Sequence, residues 1–216
     1  MTTKVLVIAK PDLVIRRGPG AKMLRGFMER TGCRITASSK MQISKELADM
    51  HYASLKGRPF YPWLMDYITM YDSFVFLMET EKPIAELRDT LGSTMVEKAE
   101  RVSLRGMYGL AKGMNGMHLS ESEEAAKQEV NLWLESSALK EGSIGFDAEA
   151  YIGKYIDSPD NTQAIHRLLG DGDEKNKIVA GERNEALYDM LKEEAAEVKH
   201  EAVSKLYSVL AESLKS

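Results

Sequence analysis

Apolar positions in this chain gather into short runs whose period changes along its length. Val5-Leu-Val-Ile-Ala9 is unbroken, as expected of a buried strand central in its sheet. Gly18-Pro19-Gly20 reads as a break before a helix over 21–30, which Gly32 ends, and 34–42 reads as a second strand. Two shorter helices are predicted over 44–54 and 62–69. Ser73-Phe-Val-Phe-Leu-Met78 alternates and is aromatic-rich, the pattern of a third strand. Pro83 opens a helix to Leu91, and 93–106 is a polar connection. A last strand over 114–118 and a helix over 121–134 complete a β-α-β-β-α-β frame. That order fits the ferredoxin-like α+β class, an antiparallel βαββαβ sheet with covering helices.

After Trp133-Leu-Glu-Ser-Ser137 the composition changes. Gly142–Gly145 and Ser158–Asn161 mark loops, and Gly170-Asp-Gly-Asp-Glu174 reads as a turn because it lacks EF-hand spacing. From Arg183 to Leu214, apolar residues recur every three or four positions: Leu187, Leu191, Ala195, Val198, Ala202, Leu206, Leu210 and Leu214. This period predicts one long amphipathic helix with a face that must be buried.

The chain has 216 residues, 44% hydrophobic and 29% charged, enough for one substantial core with an appendage. Its net charge of −4 argues against a nucleic-acid binder or a DNA-binding regulator. The single cysteine, Cys33, cannot form an intrachain disulfide, which suits a reducing compartment. No signal-peptide pattern is present, and no run approaches the ~20 apolar residues needed to span a bilayer. These features predict a cytoplasmic protein without a membrane partner.

The candidate chemistry lies in Gly113-Met-Asn-Gly-Met-His-Leu-Ser-Glu-Ser122. Strand alternation turns His118 and Ser120 to the same face. Ser120 with Glu123 forms a capping-box pattern for the helix that follows. An imidazole, neutral and nucleophilic near pH 7, would stand beside a helix start whose free N–H groups accept phosphate.

Asn115, His118, Ser120 and Ser122 together resemble the Asn-x-x-His…Ser-x-Ser signature of nucleoside diphosphate kinases. Other patches, in family order over about residues 4–135, strengthen the resemblance: Lys10-Pro11-Asp12, His51-Tyr52, Arg58-Pro59-Phe60, Arg88 within Glu86–Thr94, and Leu104-Arg105-Gly106. The resemblance implies the ferredoxin-like fold in a kinase-like domain, 1–137, with 138–216 left as a helical extension of unknown role. It implies transfer of a γ-phosphoryl group from a nucleoside triphosphate to a nucleoside diphosphate, ping-pong, through phospho-His118. Magnesium would arrive with the nucleotide, with no dedicated metal site in the protein, and the chain would form a homo-oligomer.

The resemblance also implies residue roles. Lys10 places an ammonium on the transferring group and, with Asn115, contacts the sugar hydroxyls. Arg88 and Arg105 clamp the phosphates, Thr94 hydrogen-bonds one, and Phe60 stacks on the base. Tyr52 stands near the catalytic lysine. Glu129, seven residues after Ser122 on the same helix face, takes the proton of the His118 Nδ1 and fixes the tautomer. The chain departs from the family at Leu13, Met107, Lys112, Met114 and Leu119, and in the loop 95–103 that contributes to oligomer contacts. Bulk at Leu119 is expected to narrow the approach to His118. The competing reading is a silent relative that acts as an interaction module through its C-terminal helices.

Overall fold

In the computed structural model, which describes residues 2–215, strand β1 (Thr3–Ala9) occupies the middle of a four-stranded antiparallel sheet. The strand order is β2-β3-β1-β4, with β2 at Arg34–Gln42, β3 at Asp72–Thr80 and β4 at Met117–Leu119. This is the ferredoxin-like arrangement that the element order predicts. Successive side chains of β1 enter opposite layers. Leu6 and Ile8 join one core, and Val5 and Val7 join the other.

Helices α1 (Pro11–Ile15) and α2 (Arg17–Thr31) follow β1. Gly18-Pro19-Gly20 does not break the chain, as the sequence suggested, but forms the first turn of α2. A Cβ at Gly18 would come within 2.3 Å of the Pro159 carbonyl oxygen, and one at Gly20 within 2.1 Å of the Leu13 carbonyl oxygen. The glycines serve close backbone approach rather than a turn. Helices α3 (Lys45–His51) and α4 (Tyr61–Thr69) precede β3, and α5 (Ile84–Leu91) follows it with Pro83 as its cap. The expected polar connection contains α6 (Leu104–Tyr108).

The last strand begins at Met117, later than the expected 114, because the chain turns sharply before it. Leu110 N–H bonds to Met114 O, and Gly116 takes φ +79°. Helix α7 (Glu123–Glu135) begins later than its pattern suggests. Its cap is Ser122, whose Oγ accepts from Ala125 N, so the Ser120–Glu123 capping box does not form.

The remaining helices are α8 (Ala148–Tyr155), α9 (Thr162–Gly170), α10 (Gly172–Val179), α11 (Glu185–Glu194) and α12 (His200–Ser213). The expected single helix over 183–214 is therefore two, joined where Glu197 takes φ +66°. Unbroken, it would run about 48 Å and carry much of its stripe past the core. Folded back, the pair buries Leu187, Leu191, Leu206 and Leu210 in the same core as Leu6 and Ile8. Tyr151, Ile152 and Tyr155 of α8 join the opposite core with Val5 and Val7.

Candidate active site

His118 stands on β4 opposite Ile8 of β1, and its neighbours Met117 and Leu119 turn into the core on the far side. The Leu119 side chain is thus buried in the core on the far side of the sheet, although the residue also borders the cavity beside the imidazole. Ser120 continues on the His118 side, as alternation requires. Glu129, nearly two turns into α7, meets both: its Oε2 lies 2.9 Å from His118 Nε2 and accepts from Ser120 Oγ at 2.7 Å. Ser120 Oγ is itself held by Leu6 N–H.

The charges decide the tautomer. Burial favours the neutral acid at Glu129, but hydrogen bonds and charge from His118, with help from Ser120, hold its pKa below the usual carboxylate value. An ionised carboxylate only accepts, so His118 Nε2 carries the proton, and in the neutral ring the lone pair is then on Nδ1. The sequence expectation had these two nitrogens reversed. Residue spacing can specify the partner but not the ring atom.

Lys10, directly after β1, donates to Asn115 Oδ1 at 2.9 Å, while Asn115 Nδ2 donates to Thr94 O. Burial, reinforced by Arg105, lowers the Lys10 pKa to about 7. Arg105 is gripped by two backbone carbonyls, Gly92 O and Met117 O, each at 2.8 Å. Burial and Arg88 bring its pKa down to about 10, so it remains cationic at neutral pH. The buried Arg105 Nε and Tyr52 Oη make no hydrogen bond within the protein. Arg88 reaches the carbonyl of Leu119 at 3.4 Å.

These groups line one cavity of about 830 Å³. Lys10, Tyr52, Phe60, Arg88, Thr94, Arg105, Asn115, His118 and Glu129 all border it; Ser120 stands behind the histidine. Phe60 is 41% exposed on α4's leading edge, an apolar face open to a ligand. The cation-rich lining, with orphaned polar atoms on Arg105 and Tyr52, fits a polyphosphate chain better than a protein-built magnesium cage.

Two wall residues escaped the sequence reading, and the position of a third, His51, was not legible in it. Trp63 of α4 stacks on Tyr67, bonds to Val209 O of α12, and faces Gly113. Ser213, also of α12, borders the cavity, so the C-terminal extension contributes to its wall. His51 packs edge-on against His118 with ring centroids 4.6 Å apart. The His51-Tyr52 pair was visible as a motif, but only the return of α3 to β4 brings its imidazole to the nucleophile's side.

Residues 3–139 match the family model described as nucleoside diphosphate kinase. The chain is 37% identical over 136 residues to a nucleoside diphosphate kinase of Staphylococcus epidermidis, covering 63% of this chain and 90% of that one. It is 38% identical over 141 residues to that of Thermococcus kodakarensis, covering 64% and 80%. Among solved structures it resembles the Halobacterium salinarum nucleoside diphosphate kinase in complex with CDP. There the TM-score is 0.58 at 30% identity, over 70% of this chain and 99% of that one. The Aquifex aeolicus enzyme aligns with TM-score 0.56 at 28% identity, over 61% and 94%.

Proposed function

This chain belongs to the nucleoside diphosphate kinase family and is a phosphotransferase acting on nucleotides, and we propose that the γ-phosphoryl group of a nucleoside triphosphate passes through His118 to a nucleoside diphosphate in a ping-pong cycle. The observation that carries this reading is the His118–Glu129–Ser120 group at the wall of a cation-lined cavity. The interaction-module reading is not favoured.

In the first half-reaction His118 Nδ1 attacks the γ-phosphorus. The N–P bond forms as the bond to the β-phosphate oxygen breaks, and the nucleoside diphosphate leaves. The imidazole keeps its Nε2 proton and becomes cationic, a charge that the ionised Glu129 offsets. The second half-reaction reverses these steps onto a different diphosphate. One site serves both because little beyond positioning and charge neutralisation is asked of the protein.

Lys10, Arg88 and Arg105 would neutralise the phosphates, with Thr94, Asn115 and the orphaned Tyr52 hydroxyl as hydrogen-bonding partners. Phe60 would stack on the base, which suits low base specificity because every base presents a π-face. Magnesium would be carried by the phosphates and would spread their charge. That the similar Halobacterium salinarum enzyme forms a complex with CDP supports a nucleotide as the ligand. We further read residues 1–137 as the catalytic unit, 138–216 as its helical extension, and the working form as a cytoplasmic homo-oligomer. Among the described residues no helix is long and apolar enough to cross a membrane.

The test is incubation of the full chain with ATP and magnesium, followed by intact-mass measurement. Addition of one phosphoryl group, acid-labile and passed to any added nucleoside diphosphate, is expected. Equal labelling of His118→Ala would overturn the assignment.

A further inference from the structure

His51 has no part in the reaction proposed above, yet it completes a second donor set around the same imidazole. It closes α3, its ring set edge-on to Tyr52, His118 and Trp133 at centroid distances of 4.5, 4.6 and 5.8 Å. Trp133 Nε1 donates to His51 Nδ1 over a long 3.3 Å, while His51 Nε2 is buried without a hydrogen-bond partner. Burial, and then the neighbouring His118, depress the His51 pKa to about 3, so the ring is neutral.

One ligand atom each from His51, His118 and Glu129 lie within 4.8 Å of one another. Nitrogen and oxygen donors around zinc sit about 2.0–2.2 Å from the ion, which puts them roughly 3.4 Å apart in a tetrahedron. Small side-chain rotations close the difference. We propose that the unphosphorylated protein binds one borderline divalent cation, of the Zn²⁺ or Cu²⁺ class, through His51, His118 and Glu129, and that the cation and the phosphoryl group exclude each other at His118.

The donor chemistry selects the ion. Two imidazoles and one carboxylate suit zinc or copper, whereas magnesium prefers oxygen donors and so remains with the nucleotide. His118 ligates through Nε2, replacing its hydrogen bond to Glu129, and its proton shifts to Nδ1. The lone pair needed for attack on phosphorus is then gone. His51 ligates through its orphaned Nε2 by the same tautomer shift, giving up the long contact with Trp133. No net proton is released. The fourth position is left to water or a phosphate oxygen. Lys10, Arg88 and Arg105, which border the same cavity, oppose the added charge, so binding is weaker than at a closed structural zinc site.

The exclusion rests on the reading of His118 Nδ1 as nucleophile; the donor set does not. A phosphoryl group on Nδ1 fixes the proton on Nε2 and removes that nitrogen as a ligand. The test uses the full chain, stripped with EDTA and titrated with Zn²⁺ by calorimetry and with Cu²⁺ by absorbance and tryptophan fluorescence. One ion per chain is expected, with loss of MgATP labelling of His118 that EDTA restores. His51→Gln should weaken zinc binding about 10-fold or more, as loss of a group supporting a metal site commonly does, while still accepting phosphoryl. Glu129→Gln gives a second arm for binding if the histidine variant does not fold. Absence of zinc binding, or equal affinity in the variants, would overturn the site, and equal binding by the phosphorylated chain would overturn the exclusion. If the zinc-free chain takes no phosphoryl from MgATP while zinc binding still depends on His51, the kinase reading fails and the metal site stands.

Discussion

Arg16 Nε and Glu194 Oε2 lie 2.6 Å apart with both side chains fully buried, although 178 positions separate them in the chain. Arg16 also donates to Tyr108 O and Thr162 Oγ1, and Glu194 accepts from Asn161 N–H. Every charge is therefore compensated across the junction of α1, α6, α9 and α11. Removing one partner strands the other in a low-dielectric interior. Glu194→Leu should cost about 3–5 kcal/mol, and the double variant Arg16→Met/Glu194→Leu much less. Denaturant unfolding of the three proteins checks this; equal losses would mean that the pair carries no coupled charge.

Lys10 supplies a pH dependence whose sign is fixed by its surroundings. Its pKa is lowered to about 7, so the free protein loses this charge as pH rises through that value. A bound polyphosphate favours the ammonium and draws the proton back. Nucleotide affinity should fall above pH 7, and binding at pH 8 should take up a proton. Calorimetry in buffers of different ionisation heat reads the uptake directly, and its absence would show that Lys10 is not at the phosphates.

Glu129→Gln keeps the shape of the group but removes the charge that offsets the phosphoimidazolium and orients the Nε2 proton. Phosphorylation by MgATP should slow roughly 10- to 1000-fold, the scale of a lost electrostatic partner at a reacting centre. Because the Glu129 pKa is held below the ordinary carboxylate value, this contribution should be full at neutral pH and fade only as pH falls through that lowered value. Single-turnover labelling across pH, compared with the variant, tests both statements.

Truncation after Ser137 removes α11 and α12, whose Leu187, Leu191, Leu206 and Leu210 share one core with Leu6 and Ile8, and with them the Val209 carbonyl that holds Trp63. The shortened chain should lose its cooperative unfolding transition rather than survive as an independent kinase. A milder probe is Leu210→Ala, at a fully buried position, with an expected loss of about 2–5 kcal/mol. Thermal unfolding decides; an intact transition in the truncated chain would make the extension a separate body. Light scattering of the full chain reads the oligomer.

Phe60→Ala should raise KM for adenine, guanine and pyrimidine diphosphates alike, by the equivalent of about 1–3 kcal/mol for a lost stacking face. Steady-state kinetics on several bases check it. A loss confined to one base would point to a hydrogen-bonding role for another wall residue, such as Lys112.

Much of the site could be read before folding because its pieces are local. His118 and Ser120 share a face by strand period, Glu129 returns to them by helix period, and Lys10 directly follows a strand that its unbroken apolar run identifies. Other features depended on groups distant in sequence. Ser122 rather than Ser120 caps α7 because Ser120 Oγ is already engaged by Leu6 and Glu129.

The amino-acid order by itself determined the antiparallel α+β frame, the phosphate-handling residues and the need of the C-terminal stripe for a buried face. The frame and the stripe follow from periodicity over a few turns of chain; the candidate phosphate-handling residues follow from the motifs that carry the family resemblance. Tertiary structure alone decided that the stripe folds back at Glu197, that its last helix reaches the cavity beside Trp63, and that His51 stands against His118. It also decided which His118 nitrogen keeps the lone pair, since the Glu129 charge depends on burial and on partners that only the assembled fold supplies. Local pattern sets what each segment buries; the competition among segments for one core sets what each side chain meets.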